Sequence, residues 1–183
     1  VVVAVPVALR SAAGSSRLAA LADRATYLGY ATPGIVLAIA LLGFSLDVVP
    51  SVYKTLPLLV FAYVVRFVPQ AVGSIRTSTR QVDRRLTEAA RVLGRSRLGA
   101  FRSVTFPLIA PGVATGAALV FLTTMKELPA TLLLRPFGFD TLVTYIWRVR
   151  EAGLYGKAAV PALVLVVVSG LSMAVILAGG ARR

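Results

Sequence analysis

Chemistry at an active site needs groups that move protons, attack electrophiles or bind metals, and this chain of 183 residues carries few of them. It has no His and no Cys, which excludes thiolate and imidazole metal sites, a Ser-His-Asp triad and a catalytic thiol. Seven carboxylates remain, and no two lie within one helical turn, so no local pairing of acid and base argues for a membrane enzyme, which stays a distant alternative. No G-x-x-x-x-G-K-[ST] run is present to hold a nucleoside triphosphate. No catalytic residue, metal site or cofactor is therefore expected. The informative spacing lies between Gln81 and Gly112. Val82, Leu86, Ala89, Ala90 and Leu93 fall at i, i+4, i+7, i+8 and i+11, which makes one apolar stripe on a helix. Arg84, Glu88, Arg91 and Arg95 line another face with pairings at i, i+4 and i, i+3. Gly94, tolerant of positive φ, then breaks the helix, and a second short helical pattern follows. The chemistry such a segment can do is docking. Its stripe needs a covering surface, either a partner or the chain's own bundle.

The elements that must position this segment are set by composition. Hydrophobic residues make up 57% of the chain, charged residues 15%, and the mean hydropathy is +0.83. A soluble domain does not carry that much apolar surface. The net charge of +13 raises the question of nucleic acid, but the cations sit between long uncharged stretches instead of clustering for phosphate. Those stretches are membrane-sized, because a helix needs roughly 20 apolar residues to cross the hydrocarbon core. Between Arg24 and Asp47 lie 22 uncharged residues, between Arg102 and Lys126 lie 23, and between Lys157 and Arg182 lie 24. A fourth stretch, Thr55 to Ile75, has 21 residues interrupted once, by Arg66. Val1 to Leu9 is apolar but too short to span, so the chain reads as a fragment beginning inside a helix.

Alternating sides with one crossing per stretch places three positively charged segments on one face, where thirteen cations face five on the other. The richer face is cytoplasmic by the excess of Lys and Arg, and the Gln81 to Gly112 loop lies on it. Thr32-Pro33-Gly34 reads as a cap with Pro at the first helical turn. Leu18, Leu21, Ala22, Ala25 and Leu28 predict an amphipathic helix on the cytoplasmic interface. An Arg at the bilayer centre costs roughly 2.5 to 3.5 kcal/mol, so Arg66 is expected towards the cytoplasmic third, where it can snorkel. Lys126 and Glu127, ending a span, read most simply as interfacial anchors. The expected fold is all-α, a polytopic transmembrane helical bundle in one domain covering residues 1–183.

Glu88-Ala89-Ala90, then Gly94, then Val104-x-Phe106-Pro107 resembles the EAA signature of permease subunits in binding-protein-dependent ABC importers. That pattern is Glu-Ala-Ala, three residues, Gly, nine residues, Ile, any residue, Leu-Pro; Val104 and Phe106 stand for its Ile and Leu. The resemblance implies that the loop at about 76–103 is the coupling helix, seated in a cleft of a dimeric ATP-binding subunit. Glu88 would ion-pair with that subunit, Ala89, Ala90, Leu93 and Pro107 would belong to the docking element, and Gly94 would bend it. ATP hydrolysis would belong to the partner chain, making this one a transporter subunit and no enzyme. The loop argues against a passive channel, and a membrane enzyme lacks its reactive groups.

Further segments, YATPGIVLAIALL from Tyr30, YVVRFVP from Tyr63 and KELPATLLLRPFGFDTLVTYIW from Lys126, are similar to the branch serving ferric iron. Putrescine, thiamine and sulfate permeases have comparable layouts. The resemblance implies a multi-pass bacterial inner-membrane protein, truncated at its N-terminus, which receives cargo from a periplasmic binding protein and pairs with a second permease half or subunit. Lack of His and Cys is compatible with ferric ion, a hard cation that prefers oxygen ligands. The stretch from Leu128 to Lys157 is too broken by Pro and Gly to span and too apolar for an open loop, so it should dip back against the bundle. Glu127, Thr131 and Thr141 are accordingly expected at the outward mouth of the translocation path.

Overall fold

Apolar runs broken by Pro and Gly dictate this architecture: each run satisfies its own backbone by coiling, and each break ends or bends a helix. The computed structural model describes residues 2–13 and 29–181, and every regular element among the described residues is helical. In chain order these are α1 (Ala4–Ala13), α2 (Gly34–Asp47), a 3-10 turn (Pro50–Val52), α3 (Leu56–Arg80), α4 (Arg84–Val92) and α5 (Arg97–Ala100). A π turn (Phe101–Thr105) leads into α6 (Phe106–Met125), followed by α7 (Pro129–Leu134), α8 (Leu142–Glu151) and α9 (Tyr155–Ala181). The amphipathic helix expected at Leu18 to Leu28 lies outside the described residues.

Among the described residues three helical runs are long and apolar enough to cross a membrane: Leu56–Arg80, Arg97–Met125 and Tyr155–Ala174. They match three of the four expected crossings, and the first stretch differs. Its helix α2 has 14 residues, about 21 Å at 1.5 Å per residue, against roughly 30 Å of hydrocarbon. The cause is Pro33. Residues 29–31 are helical, the chain bends at Thr32, and Pro33 itself takes the N-cap position, with no side-chain cap bond. Its carbonyl accepts from the N–H groups of Val36 and Leu37 at 3.0 and 3.1 Å. The expected arrangement, Thr32 as cap and proline in the first turn, is thus shifted by one residue.

The chain forms two compact units. One contains α1, α3 from Val68 onwards, the loop helices and α6 as far as Val120. Its core gathers Ala4 and Ala8 with Ala71, Val72, Ile75 and Ile109. Within it Gly112 and Gly116 of α6 face Ala71, Ser74 and Ser78 of α3: a Cβ at Gly116 would lie 3.1 Å from the Ala71 Cα, and one at Gly112 2.6 Å from the Ser78 Cβ. Small residues let the two backbones approach, the usual packing device of membrane helices. The other unit contains α2, α3 as far as Phe67, the end of α6, and α7 to α9. There Ala38 of α2, Leu58, Leu59 and Ala62 of α3, and Ala130 and Leu134 of α7 form the core. The broken segment after Glu127 therefore packs into its unit, as its composition requires, while α9 leaves Val160, Leu163, Val166 and Leu171 exposed, as a lipid-facing helix does.

Candidate functional site

The loop between the first two long crossings is built from capping chemistry. Asp83 caps α4, its carboxylate accepting the Arg85 N–H at 2.9 Å. Eleven residues on, the helix ends in a Schellman turn: Gly94 N–H donates to the Arg91 carbonyl at 3.0 Å and Arg95 N–H to the Ala90 carbonyl at 3.1 Å. Gly94 has φ +84°, a left-handed conformation that only glycine adopts without penalty. The spacing from Ala90 to Gly94 is thereby explained, because the carbonyl four residues before the glycine closes the turn. Ser96 then caps α5, accepting the Gly99 N–H at 3.1 Å. Pro107 sits in the first turn of α6, where it cannot donate to the carbonyl of Ser103. The preceding turn widens into the π form, with Phe106 N–H reaching the Phe101 carbonyl. A hydroxyl contact of 3.2 Å between Thr87 and Thr105 ties α4 to that turn.

The apolar stripe divides between two surroundings. Val82 lies before α4 and packs on the core of its own unit, and Ala90 is half-buried. Leu86, Glu88 and Ala89 are exposed, and Val92 and Leu93 are 87% and 84% exposed. Packing on the bundle therefore accounts for only one edge of the stripe. Glu88, Arg91 and Arg95 share a face as expected, lining with Val92, Ser96 and Arg97 an open groove of about 470 Å³. Arg95 reaches it through the glycine turn and not by helical period, since α4 ends at Val92.

A second arrangement lies within the other unit. Glu127 is 6% exposed and its Oε1 accepts both the Arg66 guanidinium and the Ala130 N–H at 3.2 Å. Thr131, fully buried, donates its hydroxyl to the Glu127 carbonyl at 2.6 Å. That hydroxyl has one proton, so the Tyr63 O–H must be the donor in the 2.5 Å contact with Thr131 Oγ1. Gly34 of α2 lies against the pair: a Cβ there would collide with the Arg66 guanidinium and stand 2.9 Å from Glu127 Oε1. Two expectations are corrected. Arg66, expected to extend alone towards water, instead ion-pairs with Glu127, and Glu127, expected as an exposed anchor, is a buried, paired carboxylate. The reason is energetic, since a charge inside a span is stabilised most by an opposite charge within reach.

Thr141 is not brought to Glu127 and Thr131 by any hydrogen bond described. It caps α8, accepting the Thr144 N–H at 3.3 Å, while its own N–H donates to Thr144 Oγ1 at 2.9 Å. Beside it Asp140 is held by Arg135 and, at 2.8 Å, by Arg148.

Over residues 4–181 the sequence matches the family described as binding-protein-dependent transport system inner membrane component. The chain belongs to that family. It is 39% identical to the Fe(3+)-transport system permease protein FbpB 2 of Haemophilus influenzae, over 81% of this chain and 29% of the relative. It is 29% identical to the molybdate/tungstate transport system permease protein WtpB of Thermococcus kodakarensis, over 90% of this chain and 63% of that one. The molybdenum transport system permease protein ModB of Escherichia coli K12 is 38% identical over 40% of this chain and 32% of its own length. The chain thus spans less than two thirds of each of these relatives. In this inner membrane component, Tyr63 and the partnership of Arg66 are what sequence reasoning missed. The signal was present: a lone Arg within a span and a lone carboxylate at a span boundary each call for a counter-charge.

Proposed function

We propose that residues 1–183 belong to one transmembrane permease domain of an ATP-driven importer, and that the loop at about 76–103 docks on a dimeric ATP-binding subunit. The observation that carries this reading is the exposed edge of α4. Leu86, Ala89 and Leu93 present apolar surface to solvent from a helix capped at both ends, and a rigid, pre-formed apolar edge is what a cleft on a partner recognises with least ordering cost. Glu88, Ala89, Ala90, Leu93, Gly94 and Pro107 are its docking residues. Cargo arrives from a periplasmic binding protein, and a second permease half or subunit completes the path. In Glu88→Lys, a reversed charge at the interface should lower ATP-coupled uptake on the order of 30-fold or more, the equivalent of about 2 kcal/mol, with the protein still inserted in the membrane. Normal uptake with the ATP-binding subunit bound would overturn the docking role.

Ferric iron is the cargo best supported, because similarity to the Fe(3+) permease extends over 81% of the chain at 39% identity. An oxyanion is the second reading, favoured by similarity to the molybdate/tungstate permease over 90% of the chain. Uptake of radiolabelled ferric iron and of molybdate by the full-length permease in proteoliposomes, with its ATP-binding subunit and binding protein, separates the two.

A further inference from the structure

We infer that the cleft receiving the docking loop is rimmed with carboxylates: Arg91, Arg95 and Arg97 meet acidic side chains of the ATP-binding subunit, and Glu88 meets a single cation set among them. The inference rests on the docking role proposed above and gives the partner surface its charge.

The groove beside α4 holds three guanidiniums and one carboxylate, an excess of two positive charges. All four side chains are exposed, and among the described residues no ion pair joins Arg91, Arg95 or Arg97 to a carboxylate. Like charges gathered in this way repel one another. Their positions are nevertheless fixed by the backbone. Arg91 lies in the last turn of α4, where the helix dipole favours a cation, and the Schellman turn at Gly94 brings Arg95 round to the same groove. The Arg95 stem runs beside the start of α5: a Cβ on Gly99 would lie 3.8 Å from its Cβ and Cδ. Arg97 opens α5 directly after the Ser96 cap, and a cation at a helix start is disfavoured locally. Local structure thus accounts for Arg91 and opposes Arg97, whose stabilisation has to come from outside the chain.

Size and surroundings select the occupant. An open groove of about 470 Å³ is of a size that takes several side chains, more than one inorganic anion fills. Val92 lines it and Leu93 follows, both almost wholly exposed, so apolar surface flanks the cations. A charged rim around apolar contacts is the anatomy of a protein interface. Glu88 on the same wall repels a phosphate, whether of a lipid headgroup or of nucleic acid, whereas a protein surface can place one cation among its carboxylates. Arginine is also the cation best matched to carboxylates, which it can pair through two parallel hydrogen bonds.

The test measures association of the ATP-binding subunit with the full-length permease in lipid nanodiscs. The wild-type association rate should fall at least about tenfold between roughly 0.05 and 0.5 M salt, as charge steering is screened. Arg95→Gln with Arg97→Gln should lower the low-salt rate about tenfold and flatten the salt dependence, while Arg95→Lys with Arg97→Lys should keep it. Leu93→Asn should instead speed dissociation and leave the salt dependence unchanged. A salt-independent wild-type rate, or a Gln pair that associates as the wild type does, overturns the acidic rim; the docking role stands if Leu93→Asn still weakens binding. Normal binding by the Gln pair and by Leu93→Asn overturns both. Nanodiscs of phosphatidylcholine alone and with phosphatidylglycerol added are compared, and a loss confined to the anionic discs assigns the arginines to the membrane and overturns the inference. The salt dependence is read on the wild-type protein, so the test holds even where a variant fails to assemble.

Discussion

Gly94 offers the sharpest test of the docking loop, because its role can be separated into conformation and space. Its φ is +84°, and a Cβ added there would meet nothing within 4 Å. Any penalty for a larger residue in the free loop is therefore conformational. Placing an L-residue in the left-handed region costs about 1–2 kcal/mol, which reduces the population of the closed turn about 5- to 30-fold. The turn carries the two Schellman bonds from Gly94 and Arg95, so its loss frees the end of α4 and with it Val92 and Leu93. Uptake per ATP hydrolysed, measured in proteoliposomes with the ATP-binding subunit and binding protein, should fall by that range in Gly94→Ala. The fall should be larger in Gly94→Val, whose β-branched side chain resists positive φ. Gly94→Asn should be the mildest, because asparagine visits this region routinely. A steric requirement gives the opposite order, since asparagine is bulkier than alanine. The reasoning is refuted if Asn harms coupling as much as Ala, or if Val couples normally.

Three other outcomes are expected. The chain has no native Cys, so a single Cys at exposed Ser96 should react with an impermeant thiol reagent only from the cytoplasmic side, and one at exposed Ser51 only from the periplasmic side; labelling of position 96 from outside intact cells removes the topology. Arg66→Met strands a carboxylate whose side chain is 7% exposed, and breaking such a pair costs about 3–5 kcal/mol. Its membrane level should drop, and Arg66→Met with Glu127→Leu should recover most of that level while uptake stays low; recovery of uptake as well would make the pair dispensable for transport. Thr141→Ala removes the cap of α8, worth about 0.5–2 kcal/mol, so the protein should lose thermal stability with the KM for cargo unchanged, whereas a raised KM at unchanged stability would return Thr141 to the translocation path.

What could be read from the sequence follows physical periodicity. The crossings at Leu56–Arg80, Arg97–Met125 and Tyr155–Ala174 announce themselves, because an uncharged run of membrane length has one way to satisfy its backbone. The break at Gly94 was legible for a similar reason, because it acts through local backbone geometry that spacing encodes, whereas the caps Asp83 and Ser96 were not read although their signals are equally local. The start of helix α2 was legible at Thr32-Pro33-Gly34 to within one residue, while the 22-residue uncharged stretch around it overstated the length of helix available to cross. Contacts between distant positions were not legible. Arg66 and Glu127 are 61 residues apart, and Tyr63 and Thr131 are 68 apart, so no period links them. Thr141 shows the converse, a residue whose local capping role was visible three positions on, in Thr144.

Each unit holds a departure from simple helical self-sufficiency, the exposed loop helix in one and the buried Arg66–Glu127 pair in the other. Helices satisfy themselves, and a membrane chain built only of them would have no reason to hold a buried Arg66–Glu127 pair, each charge of which is expensive within a span. An apolar pair of similar volume would give at least comparable stability. The same reasoning applies to α4, where Leu86, Val92 and Leu93 remain in solvent although their burial would stabilise the fold by roughly 1.5–3 kcal/mol each. Departures of this kind from local self-consistency are expected at functional sites. In the loop the departure is exposed apolar surface, which a protein partner can cover. In the other unit it is the buried Arg66–Glu127 ion pair beside the Tyr63 phenol and the Thr131 hydroxyl. The two departures therefore differ in kind, and their variants should fail in different ways: Gly94 variants with ATP hydrolysis no longer tied to transport, and loss of one partner of the Arg66–Glu127 pair first in the amount of assembled protein.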